Sequence, residues 1–173
     1  MGDIMSQVEG ERGLLERIAG KIPGFRGYLD KEKRRDADKL LRDTIAGRFA
    51  VQLRRLPELQ MQMISGGGIL YVDDMERAVT KLQMFVDRVK TTPRGYAGFF
   101  DAIKVKEDDL ERLYHWDEQL LGEADKIAAA IDTVGAAVGS GGDVGVAVRD
   151  LINASTAINE MYSQREHVLL GSA

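Results

Sequence analysis

Apolar side chains recur at three-four spacing along four long stretches of this chain, and a glycine cluster separates the members of each pair. That period places the apolar residues on one side of an α-helix, and glycine clusters are turn signals, so each pair reads as a helical hairpin. From Asp30 the pattern predicts helix to about Ile64, with Ala37, Leu41, Ile45, Phe49, Leu53, Leu56, Leu59 and Met63 on one stripe. Pro57 should kink or break it, because its ring collides with the preceding turn and it has no N–H to donate. After Gly66-Gly67-Gly68, Asp73 and Glu76 have capping-box spacing, and Val72, Met75, Val79, Leu82, Val86 and Val89 follow. The next helix, expected over 106–138, carries Leu110, Leu113, Asp117, Leu120, Ala124, Ile127, Ile131, Val134 and Val138 on its stripe. Past Gly139 to Gly142, with Asp143 as N-cap, the last helix offers Val144, Val148, Leu151, Ser155, Ile158, Tyr162, Arg165 and Leu169.

Two of those core positions are charged. Folding the chain back at Gly139 to Gly142 pairs Val134 with Val148, Ile131 with Leu151 and Leu120 with Tyr162, and the same register sets Asp117 opposite Arg165. A lone charge in an apolar seam costs several kcal/mol, whereas a pair is roughly neutral, so the register predicts a partly buried Asp117–Arg165 ion pair. The competing reading turns both side chains to solvent at a wide seam, where an exposed pair adds little.

Each hairpin is introduced by the same loop. Gly24-Phe25-Arg26-Gly27-Tyr28-Leu29-Asp30 to Lys33 and Gly95-Tyr96-Ala97-Gly98-Phe99-Phe100-Asp101 to Lys104 share a pattern of glycine, aromatic, apolar, aspartate and lysine, each just after a proline. Phe25, Tyr28, Tyr96, Phe99 and Phe100 are bulky enough to plug the ends of a bundle. The other reading makes Arg26 and the amides at the next helix start an anion site with Lys31 and Lys33; Ala97 in place of Arg26 restricts that chemistry to the first loop.

These features predict an all-α single domain over 1–173: an antiparallel four-helix bundle made of two quasi-repeated helical hairpins, 24–91 and 95–170, plus an N-terminal amphipathic helix at 6–22. The first hairpin's arms are unequal, leaving 31–43 without a partner inside it. Its apolar residues Ala37, Leu40 and Leu41 must be covered by the N-terminal helix, by the Tyr96 to Ile103 segment, or by another subunit.

Composition narrows the function. The 173 residues contain no cysteine, which excludes disulfides, thiol nucleophiles and cysteine metal sites. No apolar run approaches the roughly 20 residues of a membrane span, and Met1 to Met5 has neither the basic start nor the apolar stretch of a signal peptide, so a cytoplasmic protein is expected. Residues 17–55 hold 12 Lys or Arg against 5 Asp or Glu, so this segment is +7 within a chain of net charge -4. It makes Arg26, Lys31, Lys33, Arg34, Arg35, Arg42, Arg54 and Arg55 a candidate partner or anion surface, although Asp30, Glu32, Asp36, Asp38 and Asp43 interrupt it.

Catalytic and cofactor signatures fail. A carboxylate-bridged di-iron site needs Glu and His three apart on two helices, but Glu111 lies four before His115 and Glu160 seven before His167. The glycine clusters match neither phosphate-loop nor dinucleotide spacing, and Ser140 lacks the strand-to-helix elbow of a hydrolase nucleophile. The expectation is therefore no catalytic, cofactor or metal site, no evident small-molecule substrate, and a non-enzymatic helical scaffold or adaptor that binds another protein, or itself, through the 31–43 overhang and the N-terminal helix. The alternative is electrostatic binding of nucleic acid or anionic membrane through the basic 17–55 segment.

Overall fold

The computed structural model of the chain describes residues 2–28, 34–91 and 107–170. All the regular elements among them are helical: α1 (Gly2–Lys21), α2 (Arg34–Leu53), α3 (Leu56–Ser65), α4 (Val72–Lys90), α5 (Glu107–Ser140) and α6 (Val144–Leu170), with 3₁₀ turns at Phe25–Tyr28 and Ile69–Tyr71. Lys31, Lys33, Tyr96, Phe99 and Phe100 lie outside the described residues, as do the side chains of Tyr28, Arg34 and Arg35.

Pro57 breaks the first long stretch rather than bending it. Arg54 N donates to Ala50 O at 3.2 Å and Arg55 N to Gln52 O at 3.0 Å, a tightened last turn, and α3 restarts with Pro57 in its first turn. There the missing N–H costs nothing, because the first turn of a helix has no acceptor for it. Both hairpins then close with the same device. Gly67 (φ +92°) and Gly141 (φ +70°) take the left-handed conformation. Gly68 N reaches Met63 O at 2.8 Å, and Gly142 N reaches Ala137 O at 2.9 Å. These bonds satisfy carbonyls that the helix ends leave open, at a position where any other residue would be strained. Asp143 Oδ1 accepts from Val146 N at 2.9 Å and caps α6. The capping box expected at Asp73 and Glu76 does not form: a 3₁₀ turn feeds α4, which starts at Val72 with no side-chain cap, and Glu76 instead accepts from Gln60. Asp73 and Asp74 favour the helix start only through their charge near its positive end.

The helices pack together with α2 on α4, α4 on α6, α6 on α5 and α5 on α2 in a closed circuit, and α1 on α5. Within each hairpin the arms run antiparallel, with Phe49 against Phe85 at 4.5 Å in the first and Arg165 against Asp117 in the second. Between hairpins neighbours run parallel. Tyr71 lies beside Gly145 and Arg88 beside Ser163, so α4 and α6 advance together. Leu59 meets Gly135 and Gly66 meets Val138, so the first arm advances with α5. The antiparallel arrangement therefore describes the hairpins and not the seams between them.

All the stripe positions read from the sequence on α5 and α6 are buried. On α4 the stripe is wider than expected, because Ala78 and Phe85 are buried as well as Met75, Leu82, Val86 and Val89. A helix touching two neighbours needs a broader apolar face. Ala37 and Leu41, at the unpartnered start of α2, are fully buried. The Phe25–Tyr28 turn packs on α2 and α1 packs on α5, so the N-terminal segment contributes to this covering.

Gly145 provides a test of this packing. A Cβ built there would lie 2.7 Å from the Tyr71 ring, although helix propensity alone favours alanine. Gly145→Ala is expected to destabilise the protein by about 1–3 kcal/mol in urea unfolding, and to become neutral or stabilising when Tyr71 is also alanine. A stabilising Gly145→Ala with Tyr71 in place would contradict the close approach.

Candidate functional site

Three helices bring charge into the core at one point. Arg165 of α6 is fully buried, and its Nε donates to Asp117 Oδ1 of α5 at 2.6 Å while Nη2 bridges Asp117 Oδ2 at 3.3 Å and Asp38 Oδ1 of α2. Arg42, one turn beyond Asp38, donates from Nε to Asp38 Oδ2 at 2.8 Å. The four side chains form a neutral chain of alternating sign, Arg42, Asp38, Arg165, Asp117. Tyr162 closes one side, its ring centroid 5.7 Å from the Arg165 guanidinium. Burial pushes the Asp117 carboxyl above the usual carboxylate range; Arg165 draws it back down and Asp38 adds to the push. For Arg165 burial acts against the charge, but Asp117 and Asp38 outweigh it and hold the guanidinium above its ordinary value. Two carboxylate neighbours account for the upward direction at Arg165, while at Asp117 the loss of water outweighs the attraction of Arg165.

Further arginines extend the cross-bracing. Arg42 Nη1 also reaches Val89 O of α4 at 3.4 Å. Arg88 of α4 donates to Asn159 O at 3.0 Å, Ser163 Oγ at 2.9 Å and Glu166 Oε2 at 2.8 Å, all on α6, and stacks 5.1 Å over the Tyr162 ring. The helices of the circuit are thus tied to one another at the end opposite the glycine turns. With Arg165 and Asp117 shut away from solvent, this cluster can set register but offers no solute a way in.

The structure brings Asp117 and Arg165 together and adds Asp38, which reads in the sequence only as an interruption of the basic segment. Two signals mark it: it sits four before Arg42, and it follows Gly24 at the same distance as Asp109 follows Gly95. Asp109 is buried too and pairs with Arg112, one turn on. Of the loop aromatics, Phe25 is fully buried, edge-on to Tyr114 at 6.3 Å. Of the candidate cationic surface, Arg26 in the Phe25–Tyr28 turn and Arg54 just past the end of α2 are exposed. Arg42 is engaged in the core cluster, and Arg55 pairs with Asp132.

The surface feature that stands out lies at the glycine-turn end. Leu70 is 83% exposed, Met61 69% and Ile69 61%, with Ile64 and Val146 about half exposed. The Ile69–Tyr71 turn packs against α3, α4 and α6, so these residues belong to elements that meet at the glycine-turn end. Scattered exposed apolar residues are ordinary, but a cluster at one end marks a contact surface.

Neither a protein-family description, a curated protein nor a solved structure matches this chain. Its function is therefore inferred from its own core and surface.

The bridge from α1 to α5 has a pH dependence that follows from its geometry. Arg17 Nε donates to Glu118 Oε1 at 2.7 Å, and that bond holds the Glu118 carboxyl below its ordinary value of 4.5. A depressed carboxyl stabilises the folded state above its unfolded pKa and loses that contribution as pH falls through the folded one. Amide exchange in α1 is therefore expected to accelerate relative to α6 as pH drops below about 4.5, after correction for intrinsic rates, and Glu118→Gln should remove that difference. An unchanged profile in the variant would contradict the assignment.

Proposed function

We propose that this chain is a non-enzymatic helical scaffold or adaptor, two repeated hairpins forming a four-helix bundle that engages another protein, or a second copy, through its glycine-turn tip. The observation that carries this reading is the exposed apolar cluster of Met61, Ile64, Ile69, Leu70 and Val146. Leaving such side chains in water forgoes about 25 cal/mol for each Å² that a partner would cover. The start of α2, where the unequal arms suggest a docking surface, is the weaker place, since Ala37 and Leu41 are already buried.

Electrostatic binding of nucleic acid or anionic lipid is the rival reading. Exposed Arg26 and Arg54 favour it, but the internal pairing of Arg42 and Arg55 leaves no continuous cationic face among the described side chains. Among the described residues no helix is long and apolar enough to cross a membrane.

A photoreactive residue at position 70, compared with one at exposed position 125 on α5, tests the proposal in cells producing the full chain. Discrete protein adducts from position 70 alone, unchanged by nuclease, are expected. Nucleic-acid adducts, or the same labelling from both positions, would contradict it.

A further inference from the structure

The tip also has a charge pattern that selects its partner. Residues 56–76 and 127–148 contain Glu58, Asp73, Asp74, Glu76, Asp132 and Asp143 and no lysine or arginine. Asp132 pairs with Arg55 and Asp74 with Arg77, both from just outside these stretches. Glu58, Asp73, Glu76 and Asp143 are exposed and carry no ion pair among the described residues. The exposed apolar side chains thus share these stretches with carboxylates that have no ion pair among the described residues, with Arg77 and Arg149 just beyond them.

Resting on the reading of the tip as a contact surface, we propose that it receives a basic amphipathic helix of a partner protein, with apolar side chains on one face flanked by lysine or arginine. Three observations support this occupant. First, covering the tip with an uncharged or acidic surface would desolvate the carboxylates without compensation, whereas flanking cations would pair with them. Second, tip-to-tip contact with another copy would set carboxylates against carboxylates, and an anionic lipid surface or nucleic acid meets the same repulsion. Third, the described tip consists of helices and turns with no strand edge, so an extended segment would find no backbone ladder to join, while a helix satisfies its own N–H and C=O groups. Met61 at 69% exposure adds a flexible, polarisable contact that adapts to the partner's side chains.

The test uses the isotope-labelled full chain, titrated at physiological salt with a designed helical peptide of leucine and lysine and with a leucine and glutamate peptide of the same length and apolar face. The lysine peptide should shift amides around 58–76 and 143–150 and leave those near Glu118 and Glu123 in place. Ile69→Ser with Leu70→Ser should weaken it by about tenfold or more. Glu76→Gln should weaken it as well, and both variants should keep the parent's thermal midpoint. Three results would overturn the proposal: equal binding of the glutamate peptide, lysine-peptide binding spread over other acidic surfaces, or affinity unaffected by the Ile69 and Leu70 substitutions. A salt-resistant dimer of the free chain that Leu70→Ser dissolves would also overturn it, by showing that a second copy covers the tip. If the peptide test fails while position 70 still forms protein adducts, the contact-surface reading stands and only the partner chemistry falls. If no protein adducts form, both fall.

Discussion

A guanidinium held out of water between two carboxylates fixes how the helices of this protein lie against one another. Arg165 is held charged in the core by Asp117 and Asp38, both of which reach it. Those partners come from α5 and α2, in different hairpins. Sliding α2 by one turn, about 5.4 Å, would break the Asp38–Arg165 bond and leave Arg165 with Asp117 alone. Apolar contacts alone tolerate such slips, because one leucine can replace another in a seam. A buried ion cluster does not, and its contribution here is the selection of one register more than net stability.

The bundle is consequently built differently at its two ends. Near the loop that precedes α2, Phe25 fills the core beside Tyr114, and Arg42, Arg88 and Arg165 bind backbone and side-chain oxygens across the seams. At the other end the hairpins close through glycine turns whose backbone bonds need no side-chain help, so Ile69 and Leu70 are left to face solvent. On the proposed reading, the cross-braced end holds the shape that the apolar, acidic end offers to a partner.

The helical architecture was legible because a strict apolar period over long stretches has only one economical solution, and the heptad positions of α5 and α6 map directly onto buried residues. The register of the second hairpin could be read for a similar reason: its turn is short, so pairing follows from counting. Asp38 escaped because its partner lies in the other hairpin, and pairing between hairpins depends on the path between α4 and α5 rather than on a turn. The same gap hid the parallel seams. Asp73 and Glu76 have capping-box spacing, but the Ile69–Tyr71 turn moves the helix start past the geometry they require. Met61 and Ile64 fall off the stripe that carries Leu56, Leu59 and Met63, and that stripe is buried as the period implies; the exposure of Ile69 and Leu70 had no such signal, because they lie in a turn outside any helical period.

Urea unfolding of Arg165→Met beside the double variant Asp117→Leu with Arg165→Met tests the central constraint most directly. The single substitution leaves Asp117 buried without a cation and should cost about 3–5 kcal/mol. The double variant leaves Asp38 with Arg42 and an apolar pair across the second hairpin, and should recover most of that loss. Equal losses in the two variants would show that the buried cluster does not govern how this bundle is held together.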